Sequence, residues 1–129
     1  MIEFVIRKRV QQVGDRKGQT VYFAVPKTAS RLPRETVVSR IVQRTSLAAG
    51  DLSNAFVSLA EVVCEGLKSG QCVELGELGS LSVIVPSKMM DTPEEVTVEG
   101  ALRKPKIVFN PTKKMLKALS EIMLRIDRG

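Results

Sequence analysis

Leu67-Lys-Ser-Gly70-Gln-Cys-Val73-Glu-Leu75-Gly-Glu-Leu78-Gly79-Ser-Leu81-Ser-Val83 decides the fold. Its first residues finish an amphipathic helix, and Ser69-Gly70 is the chemistry that stops one. Cys72–Leu75 and Ser80–Val85 then read as two strands joined by a tight turn over Gly76-Glu-Leu-Gly79, with Pro86 closing the second. Upstream, Gly50-Asp51 opens the helix. Leu52, Ala55, Phe56, Leu59, Ala60, Val63 and Leu67 recur at three- and four-residue steps on one wide apolar face. Before it, Pro33 suits a first helical turn, and Val37, Val38, Ile41 and Val42 give a shorter helix. The two helices are joined by a few residues and read as a helical hairpin.

Downstream, residues 87–104 are polar and irregular, with Val96 and Val98 alternating about Thr97. Lys106-Ile-Val-Phe109 reads as a third strand. Asn110-Pro111 is expected to cap a last helix whose apolar side is Met115, Leu116, Leu119, Ile122, Met123 and Ile126, with Arg125 and Arg128 suiting its C-terminal dipole. At the other end of the chain, Ile2–Arg9 and Thr20–Val25 alternate around the turn-forming residues 13–18 and predict a β-hairpin ended by Pro26. Such a hairpin is marginal alone and must lean on something else. Helices and strands are segregated along the chain, which predicts an α+β fold. Two units are expected: an N-terminal hairpin with its linker over residues 1–32, and a main domain over residues 33–129.

The composition narrows the function. The chain has 129 residues, 43% hydrophobic but only 4% aromatic, so its core is aliphatic. It carries 20 Lys and Arg against 14 Asp and Glu, a net charge of +6. The excess is uneven. Residues 1–34 hold eight basic and two acidic side chains, residues 35–85 three and six, and residues 86–129 nine and six. A basic surface built from both ends of the chain suits a polyanionic partner. The chain has no histidine, which removes the usual general base, the usual metal ligand and the paired nucleophile systems. Cys64 and Cys72 have neither redox-motif nor zinc-site spacing, and Cys64, beside the apolar stripe of its helix, is expected to be a packed thiol. Glu61 and Glu65, one turn apart, read as a solvated helix face. Gly76-x-x-Gly79 lacks the Lys-Ser/Thr of a phosphate loop. The expectation is a non-enzymatic protein without metal or cofactor. The start of the sequence has no signal-peptide pattern and no stretch is apolar enough to span a membrane, so a cytoplasmic location is expected.

Binding chemistry is better represented. Lys113 and Lys114 stand in the first turn of the last helix, where cations oppose the dipole and a docked phosphate would be welcome. Arg103, Lys104 and Lys106 lead into the preceding strand. Arg7, Lys8, Arg9, Arg16 and Lys17 form a third cluster on the hairpin, where a solvated face is the ordinary reading.

The stretch quoted at the outset resembles the bacterial histone-like proteins HU and integration host factor, in which a long helix, a glycine and a strand lead into a Gly-Phe-Gly-x-Phe turn. Leu78 and Leu81 stand where that family has Phe. Phe109-Asn-Pro111-Thr-Lys113-Lys-Met115 resembles its Phe-x-Pro-Gly-Lys-x-Leu ending, with Thr112 in place of Gly. The resemblance covers about residues 33–127, and residues 1–26 look like the N-terminal extension of a divergent branch. It implies an intertwined homodimer with Phe56, Leu59, Leu78, Leu81 and Phe109 in its core. It also implies a DNA-embracing β-arm over Ile84–Val108 and a nucleoid-associated, sequence-tolerant architectural role on double-stranded DNA. The expected DNA contacts are Lys88, Arg103, Lys104, Lys106, Lys113, Lys114 and Lys117. Four acids in the arm, Asp91, Glu94, Glu95 and Glu99, depart from the family's basic arm and argue against strong bending. The alternative is a dimeric interaction module that has kept the fold and lost the DNA.

Overall fold

A computed structural model describes residues 1–129. Strands β1 (Ile2–Val10) and β2 (Thr20–Pro26) pair antiparallel from Phe4↔Pro26 out to Val10↔Thr20. Helices α1 (Arg34–Arg44) and α2 (Ala49–Lys68) follow, then β3 (Val73–Glu74), β4 (Gly79–Ile84) and β5 (Lys106–Pro111). Short helix α3 (Val98–Ala101) lies between β4 and β5, and helix α4 (Lys113–Ser120) and strand β6 (Leu124–Asp127) complete the chain. Two three-stranded sheets result, ordered β2-β1-β6 and β3-β4-β5. The architecture is α+β.

The central sheet is built around Gly79. Its φ is +144°, and a Cβ placed there would lie 2.2 Å from the Asn110 carbonyl oxygen, so only glycine lets β4 and β5 approach this closely. Leu81 pairs with Val73 on one side and Phe109 on the other, and Val83 pairs with Ile107, which collects the sheet's apolar side chains on one face. The C-terminal half of α2 packs on that face at Gly66, whose missing side chain admits Val73. Coverage is incomplete: Ile107 remains 66% exposed and Phe109 44%.

The α-helical hairpin forms as the periodicity predicts, although α2 begins at Ala49 and Pro33 is the cap of α1 rather than its first helical residue. Cys64 is exposed, not packed, and both cysteines are free.

Two further expectations fail. Residues 85–105 do not form a long β-arm. A single bridge, Ser87↔Leu102, is followed by a 3₁₀ turn at Pro93–Glu95 and by α3. Pro93 cannot donate to a ladder. Thr92 Oγ1 donates to the Glu95 carboxylate at 3.1 Å, and Thr97 Oγ1 accepts from the Gly100 amide at 2.9 Å. Both are local capping bonds that favour turns over strands. Ala101, 1% exposed, anchors the loop.

The last helix is also shorter than expected. Asn110 and Pro111 belong to β5, Thr112 is the cap, and α4 stops at Ser120. Ile122 to Asp127 leaves the helix, and Leu124–Asp127 pairs parallel with β1 from Ile2↔Leu124 to Val5↔Asp127. Arg125 is therefore no helix-end cation; its guanidinium bonds Glu3 Oε1 at 3.1 Å.

Burial is sparse. Val38, Leu52 and Ala101 are the buried hydrophobic residues, and the chain exposes 11049 Å². A monomeric protein of this mass exposes about 6,800 Å².

Candidate nucleic-acid interface

The candidate cations fall into two groups set by the ends of β5. At its start, the Lys88 amide donates to the Ala101 carbonyl and the Arg103 amide to the Pro86 carbonyl. These bonds close the 86–103 loop at its base and bring Lys88 beside Arg103 and Lys104, with Lys106 following as the first residue of β5. At its end, Thr112 caps α4, its hydroxyl accepting from the Met115 amide and donating to the Glu77 carbonyl at 2.6 Å. This presents Lys113 and Lys114 at the helix start, with Lys117 one turn on. Six residues of β5 separate the groups by about 17 Å, so no single phosphate spans both.

All seven expected contacts are exposed, but they are not equivalent. Lys114 Nζ bonds Glu77 Oε2 at 2.5 Å. The bond from Lys114 holds the Glu77 carboxyl below its ordinary range, and the same bond raises the Lys114 ammonium. The other ion pairs engage Lys27, Arg34 and Arg125. Lys88, Arg103, Lys104, Lys106, Lys113 and Lys117 have no carboxylate partner. Glu77 carries no local signature in the sequence. It reaches Lys114 because Gly79 pairs with Pro111, which lays the β3–β4 turn beside the start of α4. A shallow polar concavity lined by Gly76, Glu77, Thr112, Lys113 and Lys114 lies there, open to solvent. The residues expected in a dimer core are not deeply enclosed: Leu59, Leu78 and Phe109 are exposed, and Phe56 and Leu81 half-buried. No group of carboxylates and cysteines is arranged to hold a metal. No helix is long and apolar enough to cross a membrane.

The family model HU-HIG, described as an HU domain fused to wHTH, Ig, or Glycine-rich motif, matches residues 1–126. The chain belongs to the HU-HIG family. The match runs from the β1–β2 hairpin into β6, so the hairpin lies within the family's span. Among solved structures the chain is similar to one named "Putative bacterial DNA binding protein", from Bacteroides vulgatus ATCC 8482, with a TM-score of 0.61 and 12% identity. The similarity covers 97% of this chain and 47% of that one, so this HU-HIG chain spans about half the length of its structural relative. At that identity the likeness concerns the fold. No curated protein matches the chain.

Proposed function

We propose that this HU-HIG protein is a non-enzymatic binder of double-stranded DNA that acts as an intertwined homodimer, in the nucleoid, through phosphate contacts. In this reading residues 1–32 are a hairpin and linker attached to an HU-like domain over residues 33–129. The observation that carries it is the pair of unneutralised cation groups at the two ends of β5 in a chain of the HU domain family. A spacing of about 17 Å corresponds to about five base pairs along a duplex, so both groups can meet one strand's backbone. Five of the six unpaired cations are lysines, point charges that suit phosphate contacts and hence sequence-tolerant binding. Lys88, Arg103, Lys104, Lys106, Lys113 and Lys117 carry the contacts, and Lys114, shared with Glu77, contributes least.

The homodimer accounts for the surplus surface. Each chain exposes about 4,000 Å² more than a monomer of this mass, ample for an obligate interface, which buries about 2,000–5,000 Å² or more over both partners together. Phe56, Leu59, Leu78, Leu81 and Phe109 are its proposed core.

The test is a titration of a 30-base-pair duplex at several salt concentrations. Affinity falls with salt by about 0.9 log units per log unit for each phosphate neutralised. Replacing Arg103, Lys104 and Lys113 by Gln flattens that slope and weakens binding on unrelated sequences alike. A wild-type protein that binds no duplex at low salt ends the DNA reading in favour of the interaction module.

A further inference from the structure

The cations of the N-terminal hairpin belong to neither group above. Strand β6 flanks β1 over Ile2–Val5 alone, whereas β1 and β2 stay paired out to Val10↔Thr20. Beyond Val5, therefore, the hairpin is a two-stranded ribbon with no third strand. The principal contacts of β1 and β2 are with each other and with β6. About 17 Å of paired strand and the turn of residues 11–19 stand clear of the body. A free ribbon of this length is uncommon in water.

Its chemistry is one-sided in sign. Between Ile6 and Ala24 stand Arg7, Lys8, Arg9, Arg16 and Lys17 against Asp15. All five cations are exposed, and none enters an ion pair. Strand alternation sends Arg7 and Arg9 to one face, across from Phe23 and Val21, and Lys8 to the other, across from Tyr22. The Arg9 guanidinium lies 5.7 Å from the Phe23 ring centroid, which holds it extended along the ribbon. Tyr22 is 70% exposed. Both faces thus carry positive charge, and Arg16 and Lys17 carry it to the tip.

We infer that the β1–β2 ribbon is a second DNA-contacting element, lying in the major groove with cations of both faces reaching the two phosphate walls. The major groove is about 12 Å wide and admits a two-stranded ribbon. Charge on both faces is what a groove with two anionic walls requires, whereas a flat anionic surface would engage one face only. The ribbon takes the projecting role that the compact loop of residues 85–105 does not fill. This inference rests on the DNA-binding reading above but concerns different residues.

The experiment compares two variants of equal net charge on the same duplex: Arg7→Gln with Arg16→Gln and Lys17→Gln, and Arg34→Gln with Arg40→Gln and Arg44→Gln on α1. The ribbon variant binds roughly tenfold or more weakly, and its salt slope falls by about 0.9 for each phosphate the ribbon no longer neutralises; the α1 variant stays close to wild type. Circular dichroism confirms the fold, and Arg16→Gln with Lys17→Gln alone, confined to the turn, repeats the comparison if the triple variant does not fold. Equal weakening in both variants, or none in either, overturns the ribbon's role while wild-type binding leaves the DNA reading in place. Wild-type protein that ignores duplex but binds phosphatidylserine vesicles overturns both.

Discussion

Gly79 and Glu77 show how much one position decides. At Gly79 any side chain meets the Asn110 carbonyl and must also adopt a φ of +144°. Gly79→Ala is expected to cost about 3 kcal/mol, read as a large fall in melting temperature, because backbone rather than a movable side chain blocks the Cβ. At Glu77 the expected effect is on binding. Glu77→Gln releases Lys114 and removes a carboxylate from a surface offered to phosphate, so duplex affinity rises and the salt slope steepens by about one phosphate's worth. An unchanged slope would place the start of α4 outside the DNA surface. The fold tolerates this change, because both partners are exposed and a surface ion pair holds little. The candidate lysines are legible from the dipole argument at the start of α4. That one of them is shared with Glu77 is not, because residues 77 and 114 meet only through the register of β4 and β5.

Among the elements, β6 is the instructive case. Met115, Leu119, Ile122 and Ile126 satisfy a helical period, yet Ile122, Leu124 and Ile126 also alternate, and short apolar runs obey either pattern. What decides is the free edge of β1, which local sequence does not reveal. The β1–β2 hairpin is legible because its turn residues and alternation agree. The long arm is not formed because only segment length favours it, while Thr92-Pro93-Glu-Glu95 carries a capping signature. The attachment of β6 is reinforced electrostatically. Lys27 Nζ bonds Asp127 Oδ2 at 2.8 Å, and Arg125 bonds Glu3. The bond from Lys27, then the Gly129 amide, holds the Asp127 carboxyl below its usual value, and the same bond raises Lys27. A depressed carboxylate stabilises the fold above its unfolded value near 3.8 and loses that contribution as pH falls through the folded one. Acid should therefore weaken the attachment of β6. Ile126→Pro, which places an imide nitrogen in the strand facing Phe4, should do so at neutral pH, seen as faster exchange of the Ile2 amide that donates to the Met123 carbonyl at 2.8 Å.

For the molecule as a whole, surface is the governing quantity. Ile107, Leu119 and Val62 are each more than half exposed, on three different elements. Apolar area on this scale does not persist in water. Multi-angle light scattering at micromolar concentration should return twice 14.2 kDa, and Leu59→Glu, in the proposed core, should dissociate that species or abolish folding. A stable wild-type monomer would remove the homodimer and most of the energetic account of the fold. The large apolar faces are legible in the periodicity of α2 and α4. Their openness is not, because a pattern of apolar residues does not say which chain covers them.

The pairing of β1 with β6 also sets an order of events in time. Ile2 and Leu124 are neighbours in the sheet yet lie 122 positions apart in the sequence. Closing so long a loop has an entropic cost that falls only once the intervening residues are already compact. Within this domain β1 and β2 can hold only each other, weakly, until β5, α4 and finally β6 are in place. Strand β1 thus waits for β6, and the β2-β1-β6 sheet becomes a late reporter that the residues between them have folded.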